Sequence, residues 1–349
     1  MRYAFAMFLL IMPALATAAP KIVVDQAVYD FGEIKEGLIV THAFVIRNEG
    51  TDPLVFTRRP YSSCGCTVAA LPKEVLLPGE SVELPATFDS TGFGGRYVRE
   101  EIRVYTNDPE NPVVILALVG FVRPAEPHER SAWSLQYSLY LLVDVRSPEE
   151  YARAHLLGAI NIPFPELSRR ISAFPPQVLI FLYDNAGEIA LQAAAMLEQK
   201  GYRFARALKG GLVEWQSRYG NLFIEFGEEG PFTFRGEPRS GQHAVDPQGL
   251  LSRYVIILDV RSPEEFAAGH LAGAINVDPG ALPQWVVDHL PRSLPQGVKL
   301  SIWCVDEDGT KSCPAAKYLR SQGYDARCIL GGLSQWRKRY GDLLIVPSG

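Results

Sequence analysis

Hydrophobic positions in the first third of the chain fall in short runs of β-branched residues separated by turn residues. The runs KIVVD, THAFVIRN, SVELPATF, EIRVY and VVILALVGFV follow one another between Lys21 and Val122, and none has a helical period. Runs of this length and spacing predict an antiparallel, immunoglobulin-like β-sandwich of about seven strands over residues 19–123.

The pattern changes after a proline-rich, charged linker at residues 124–132, where apolar strands begin to alternate with alanine-rich helical stretches. LLVDVRSPEEYARAHLLGAINIP, from Leu141, recurs as IILDVRSPEEFAAGHLAGAINVD, from Ile256, and the tails KGGLVEWQSRYGNL and LGGLSQWRKRYGDL repeat as well. The alternation and the repeat predict two α/β domains with parallel sheets flanked by helices, at residues 133–223 and 247–349. A turn-rich connector, residues 224–246, joins them.

Each copy carries the same local signals. The strand that ends in Asp-Val-Arg is followed by Ser-Pro-Glu-Glu, which predicts a serine N-cap with proline in the first helical position. A second buried strand, VLIFLY in copy one and KLSIWC in copy two, leads into a loop and an alanine-rich helix. Such folds place their sites in loops at the carboxyl ends of parallel strands.

The first residues, MRYAFAMFLLIMPALATAAP, combine an early positive charge, an apolar run and the pattern Ala-Thr-Ala. The apolar run is shorter than the roughly 20 residues that span a bilayer, and a proline interrupts it. The segment therefore predicts a cleavable signal peptide over residues 1–18 and a periplasmic or secreted protein without a membrane span after cleavage.

Charge and cysteine count narrow the function classes. The net charge is −5 and no basic cluster occurs, which argues against nucleic acid as a partner. The chain has five cysteines, and in an oxidising compartment an odd number leaves at least one thiol unpaired within the monomer.

DVRSPEEF, HLAGAIN and GGLSQW, in this order around a strand, a loop and a helix, resemble the rhodanese family, and the two copies resemble its tandem sulfurtransferases. The motifs IRNEG, SSCGCT and PGE in the β-rich region are similar to the secreted immunoglobulin-like family called domain of unknown function 1573. The second resemblance implies no chemistry.

The rhodanese resemblance implies a catalytic cysteine that opens the loop after the central strand. Its thiolate takes a sulfane sulfur as a persulfide and passes it to an acceptor, while loop amides stabilise the anion. In copy one this position is aligned with Asp184, so copy one is predicted to be catalytically silent. In copy two it is aligned with Cys304, the predicted nucleophile, with Lys311 and Ser312 as polar assistants.

With this alignment the loop of copy two is longer than the family pattern by two residues, and it is acidic. The thiol is expected to titrate near its ordinary value, because repulsion by the carboxylates nearly cancels the helix N-terminus. Small dianions such as thiosulfate are expected to be poor donors. The residues predicted to cradle the anion are Val305, Asp306, Glu307, Asp308, Gly309 and Thr310.

The sequence alone leaves the roles of the cysteines open. Cys304 is interpreted as a persulfide-forming nucleophile, as a disulfide or resolving partner of Cys313 or Cys328, or as an inert remnant. Cys328 is more typical of a buried small apolar residue. Cys64 and Cys66 are possible redox residues, and no metal site is predicted because two thiols are too few for one.

Several repeated side chains are interpreted as structural because both copies carry them at the same spacing. They are Asp144, Arg146, Asp259, Arg261, His155, His270, Trp215 and Trp336.

The sequence thus predicts a sulfurtransferase or persulfide carrier that needs no cofactor and takes sulfur from a small-molecule or protein donor to a thiol acceptor. The alternative is a non-catalytic binding or scaffold protein of the cell envelope, which recruits a protein partner through its immunoglobulin-like domain and uses both rhodanese-like domains as recognition surfaces.

Overall fold

The computed structural model describes residues 18–62, 66–68 and 71–347, with the backbone alone for residues 66–68. The predicted signal peptide, up to residue 17, and Cys64 lie outside the described residues, as does the side chain of Cys66. The chain forms two compact units. The first ends at Arg123, and the second comprises residues 35–38 and the chain from Pro124 onward.

The first unit is β-rich, and its strands alternate buried and exposed residues. Two antiparallel sheets, with strand orders β1-β3-β7-β5 and β2-β9-β8-β4-β6, contribute to one apolar core that includes Phe44, Phe88 and Ile102. Nine strands are described where about seven were predicted, since the shortest ones are too brief to form apolar runs. They are β1 (Ile22–Val24), β2 (Val28–Lys35), β3 (Ile39–Asn48), β4 (Leu54–Ser62), β5 (Cys66–Val68), β6 (Val75–Leu76), β7 (Ser81–Asp89), β8 (Arg96–Thr106) and β9 (Val113–Arg123).

Copy one of the repeat is an α/β domain, as the alternating pattern predicted. Its elements are β10 (Glu129–Arg130), α1 (Ala132–Ser138), β11 (Leu141–Asp144), α2 (Pro148–Arg153), β12 (Ala154–Leu156), β13 (Ile160–Asn161), α3 (Phe164–Arg170), a 3-10 turn (Ile171–Ala173), β14 (Ile180–Tyr183), α4 (Glu188–Gln199), β15 (Ala205–Leu208), α5 (Gly211–Tyr219) and β16 (Ile224–Phe226).

Copy two repeats this order of elements. They are β17 (Ala244–Val245), α6 (Pro247–Leu251), β18 (Tyr254–Asp259), α7 (Pro263–Ala268), β19 (His270–Leu271), β20 (Ala274–Asn276), α8 (Leu282–His289), β21 (Leu300–Val305), α9 (Ser312–Ser321), β22 (Asp325–Ile329), α10 (Gly332–Tyr340) and β23 (Ile345–Val346).

The two copies exchange edge strands. The main sheets are parallel, with orders β13-β11-β14-β15-β17 and β10-β22-β21-β18-β20. Strand β10, from the predicted linker, pairs with β22 of copy two, and β17, from the predicted connector, pairs with β15 of copy one. Each sheet is therefore completed by the segment that precedes the other copy.

The predicted helix starts are confirmed in both copies. Ser147 caps α2 and Ser262 caps α7, each accepting a hydrogen bond from the backbone N–H of the glutamate three residues later, whose side chain accepts from the cap in return. These caps fix the turn after β11 and β18, at the carboxyl edge of each sheet. Within the described ranges, no helix has the length and apolar content to cross a membrane.

Candidate active site

The pairing of the central strands fixes how the two copies correspond. Asp144 on β11 lies opposite Tyr183, the last residue of β14. Its repeat partner, Asp259 on β18, lies opposite Val305, the last residue of β21. Tyr183 and Val305 are therefore equivalent, and the residue after each of them, called here the loop head, is equivalent as well.

The loop head is Asp184 in copy one and Asp306 in copy two. The alignment of Cys304 with Asp184 is therefore wrong: Cys304 lies inside β21 and corresponds to Leu182. The loop is also not lengthened. Gly187 and Gly309 each stand three residues after the loop head, and both have a φ of 90°.

The loop amides of copy two converge on Asp306 itself. Its Oδ1 accepts hydrogen bonds from the Gly309 N–H at 2.7 Å and the Ser312 hydroxyl at 2.7 Å. Its Oδ2 accepts from the N–H groups of Lys311 at 2.7 Å and Ser312 at 3.2 Å. The loop thus cradles an anion, but this anion is a carboxylate of the chain and not the sulfur of Cys304. Lys311 and Ser312 hold this carboxylate and do not assist a sulfur of Cys304.

The other residues predicted to cradle the anion face elsewhere. Val305 is a buried strand residue whose carbonyl accepts from the Val260 N–H. Glu307 turns outward, and the guanidinium of Arg337 donates to both of its carboxylate oxygens at 2.9 Å. The carboxylate of Asp308 accepts from the N–H and hydroxyl of Thr310, two residues later in the same loop.

Copy one holds its loop head in the same manner. The Asp184 carboxylate accepts hydrogen bonds from the backbone N–H groups of four residues, with distances of 2.9 Å for Ala186, 2.5 Å for Ile189 and 3.1 Å for Ala190, and Gly187 is the fourth donor. A carboxylate cannot carry sulfane sulfur. Neither loop head therefore offers the thiol that the rhodanese reaction requires.

A buried ion pair lies at the end of the strand next to each loop, β11 in copy one and β18 in copy two. Arg146 Nη2 lies 2.5 Å from Asp144 Oδ2, and the corresponding distance between Arg261 and Asp259 is 2.6 Å. The arginines also donate to the Ala154 and Gly269 carbonyls, each eight residues further along the chain. The structural interpretation of these pairs is confirmed, because each ties the strand end to the short helix that follows it.

The connector covers the loop of copy one. Its Phe234 is buried and lies 5.9 Å from the guanidinium of Arg146. The Arg239 N–H donates to the Ala186 carbonyl at 2.8 Å, and the Arg239 carbonyl accepts from the Gly210 N–H at 2.8 Å. These contacts cover part of the loop, and a cavity of about 250 Å³ remains between Asn185, Arg146 and the connector.

Cys304 is a free thiol with no exposed surface. Its burial, and then the nearby Asp306 carboxylate, raise the pKa of this thiol well above its ordinary value. The expectation of an ordinary thiol is therefore wrong, since it assumed a solvated loop position.

The disulfide joins Cys313 to Cys328. Cys304 is therefore not the disulfide partner of Cys313, and Cys328, although wholly buried, is more than a small apolar residue. The choice of partner depends on how α9 packs on β22, which no local pattern reveals.

The repeated histidines and tryptophans pack as structural residues, as predicted. His155 and His270 stack on Tyr151 and Phe266, four residues earlier, with ring centroids 3.9 and 3.7 Å apart. Trp215 and Trp336 are wholly buried, and each indole N–H donates to a carbonyl at 2.8 Å.

Sequence reasoning missed Asp306 as the loop head, although a signal was present. Gly187 and Gly309 open the equivalent turns, and counting back three residues from each glycine gives an aspartate in both copies. An added Cβ at Gly309 would lie 3.0 Å from the Gly331 nitrogen, so the close approach of two backbone segments requires glycine there.

Comparison with known proteins places these features in a family. The model of the rhodanese-like domain matches residues 129–218 and 246–339, and that of a protein of unknown function, DUF1573, matches residues 22–122. A sulfurtransferase of Allochromatium vinosum is 35% identical over 80 residues, which cover 23% of this chain and 74% of that protein. The chain therefore belongs to the rhodanese-like domain family.

Other matches are more partial. The centrosomal protein of 41 kDa of Xenopus tropicalis is 38% identical over 82 residues, which are 21% of this chain and only 22% of that protein. The structure of a thiosulfate sulfurtransferase from Pseudomonas aeruginosa is 20% identical in sequence. The match covers 63% of this chain and 44% of the Pseudomonas chain, with a TM-score of 0.24. The match to the rhodanese-like domain model and the similarity to the sulfurtransferase of Allochromatium vinosum support sulfur transfer as the activity to be tested in this chain.

Proposed function

We propose that the two rhodanese-like copies form a recognition unit whose loops do not carry sulfur, within an exported binding protein. The observation that carries this proposal is the carboxylate of Asp306, which fills the cradle where the family reaction needs a thiolate. Hydrogen bonds from Gly309, Lys311 and Ser312 already occupy both of its oxygens. The loop is therefore stable without any ligand.

Intact-mass spectrometry tests the proposal. The mature protein is incubated with thiosulfate, polysulfide and glutathione persulfide, beside the variants Asp306→Cys and Asp184→Cys. We expect no added sulfur on the wild type and one added sulfur on Asp306→Cys, because loop amides that hold a carboxylate can also stabilise a thiolate. We expect less on Asp184→Cys, since the connector covers that loop. A stable sulfur adduct on the wild type would contradict the proposal.

The second candidate is sulfur transfer by Cys304, with a small-molecule or protein persulfide as donor and a thiol as acceptor. Membership of the family and the free thiol favour it. The end of β21 would have to open, because the thiol is wholly buried. An adduct on the wild type that is absent from Cys304→Ser and accompanies thiol-dependent turnover would establish this candidate.

The β-rich unit is the proposed docking site for an envelope protein, and we assign it an immunoglobulin-like fold. Support comes from the outer face of β4 and β8, where Tyr61 and Tyr97 are 58% and 69% exposed and Arg103 lies opposite Tyr61. Tyrosine and arginine are enriched in protein interfaces. A photo-crosslinking residue at Tyr97 should give one discrete protein adduct in the native cell, and the same residue at exposed Glu83, in the other sheet of the β-rich unit, should give none. No adduct at Tyr97 would contradict docking through this face.

Export to an oxidising compartment is the proposed localisation. The signal-like N-terminus and the Cys313–Cys328 disulfide support it, because disulfides persist in such compartments. N-terminal sequencing of the protein from cell fractions should find Ala19 as the first residue, in the envelope or medium. A full-length protein in the cytosolic fraction would contradict export.

A further inference from the structure

Copy two contains three cysteines in one part of its core. Cys304 on β21 lies directly opposite Cys328 on β22 in the parallel register. Cys328 is joined to Cys313, in the first turn of α9, and all three side chains belong to the same buried apolar cluster. A free thiol therefore lies one strand away from a disulfide.

The register makes a bond between Cys304 and Cys328 feasible. Neighbouring strands lie about 4.8 Å apart, and the side chains of directly opposite residues leave the sheet on the same face. Disulfides are formed between Cα atoms about 4.4 to 6.8 Å apart. The sulfur of Cys304 can thus replace that of Cys313 on Cys328 by side-chain rotation, while the backbone ladder stays in place.

Copy one shows that the fold does not need cysteines at these places. Leu182, Leu191 and Ala207 are the equivalents of Cys304, Cys313 and Cys328, because Leu182 lies opposite Ala207 in the strand register and Leu191 follows Gly187 as Cys313 follows Gly309. Apolar residues fill the same core. The sulfur chemistry of copy two is therefore an addition to a frame that packs without it.

We propose that Cys304, Cys313 and Cys328 form an internal thiol–disulfide exchange site that takes a disulfide as substrate. The end of β21 opens, the Cys304 thiol passes its proton to water, and the Cys304 sulfur bonds to that of Cys328. The Cys313–Cys328 bond breaks, and the Cys313 sulfur leaves with the electron pair. One free cysteine sulfur and one disulfide exist before and after this step, so no external oxidant is required.

The exchange moves reactivity from the core toward the surface. Cys304 and Cys328 have no exposed surface, whereas Cys313 is 8% exposed and lines a cleft of about 990 Å³ beside Thr310 and Lys317. The start of α9 stabilises a thiolate at Cys313 and makes it the better leaving group. The released thiolate attacks a substrate disulfide, forms a mixed disulfide, and one substrate thiol departs.

Burial of Cys304 makes the exchange slow while the core stays closed. The raised pKa of the Cys304 thiol keeps its thiolate scarce, so rearrangement in the closed core is slow. This inference does not depend on the proposed recognition function, because the loop head takes no part in the exchange.

Peptide mapping tests the exchange in the full chain. Cys64 and Cys66 are replaced by serine, and the oxidised protein is incubated with oxidised glutathione, then quenched in acid and alkylated with N-ethylmaleimide. We expect peptides linked through Cys304 and Cys328, with glutathione on Cys313. Glutathione on Cys304, or an unchanged Cys313–Cys328 bond with a free Cys304 after prolonged incubation, would overturn the proposal.

Two variants separate the exchange from nonspecific reactivity. Cys304→Leu, which introduces the residue of copy one, should leave Cys313 bonded to Cys328 and without glutathione. Cys313→Ser should form a Cys304–Cys328 bond on oxidation. If Cys313→Ser keeps its circular dichroism spectrum and both thiols stay free, the proposal is overturned; if it fails to fold, the mapping of the protein with native Cys304, Cys313 and Cys328 decides.

Discussion

The two rhodanese-like copies share a frame and differ in what surrounds it. Both loop heads are aspartates held by loop amides, above a buried Asp-Arg ion pair. In copy one the connector packs beside the loop, whereas in copy two Glu307 lies outside it, bound to Arg337. The comparison teaches that the amides of this loop converge on an anion in both copies, and that a side chain of the loop itself supplies it.

The largest expected effect is the loss of either loop-head carboxylate. Asp306→Ala and Asp184→Ala should each lower the free energy of unfolding by about 3 to 5 kcal/mol, because four buried or partly buried donor groups lose their acceptor at once. Urea unfolding measures this. Asp308→Ala in the same loop is the control, with an expected loss of about 1 kcal/mol or less. If either loop-head variant also lost only about 1 kcal/mol, water would be accepting the hydrogen bonds of the loop amides in place of the carboxylate.

The second largest effect should come from reduction of the Cys313–Cys328 disulfide, which should destabilise copy two and leave copy one unchanged. Opening the bond between Cys313 and Cys328, which are 15 residues apart, should cost about 3 kcal/mol. Hydrogen exchange should show faster exchange in α9 and β22, with α4 and β15 of copy one unchanged. The double variant Cys313→Leu/Cys328→Ala, which carries the residues of copy one, should have a Tm that does not respond to reductant. Equal loosening of both copies would contradict a local effect.

The connector should contribute less to the free energy of unfolding than the loop-head carboxylates or the disulfide. Phe234→Ala should lower the free energy of unfolding by about 2 kcal/mol, since the ring is buried against copy one. It should also speed hydrogen exchange at residues 185–190, whereas exposed Thr233→Ala should change neither quantity. Unaltered exchange in Phe234→Ala would show that the connector does not protect the loop.

The smallest effect concerns pH. His155 faces Glu225 at 3.5 Å, and the hydrogen bond from His155 lowers the pKa of Glu225. The stability that this carboxylate contributes is present above its unfolded pKa and is lost as pH falls through the lower folded value. Because Glu225 is partly exposed, Glu225→Gln should cost less than about 1 kcal/mol at pH 7.

His270 has Val346 opposite it where His155 has Glu225. Burial lowers the pKa of His270, so the unfolded chain binds more protons and stability falls as pH drops below about 6.5. Val346→Glu should raise the pKa of His270, which NMR titration measures. It should also reduce the loss of folding stability at acidic pH. A pKa unchanged by Val346→Glu would contradict the comparison.

Sequence reasoning found the loop but not its first residue. Cys304 and Asp306 stand two residues apart where one apolar run ends, and the run alone does not show at which residue the strand stops. The choice between them depends on which residue lies opposite Asp259, and that pairing is a contact between distant segments. The disulfide partner of Cys313 was open for the same reason, since it depends on the packing of α9 against β22.

The amino-acid sequence by itself determined what is local or repeated: the strand runs, the serine caps, the 115-residue repeat and the paired Asp and Arg side chains. Spacing along one segment is enough to establish these features. Only the tertiary structure decided which residue heads the loop, that its amides are already occupied, and that Cys304 lies across from a disulfide. Each of these depends on the register between strands, where a shift of two residues replaces a buried thiol by a carboxylate at the centre of the site.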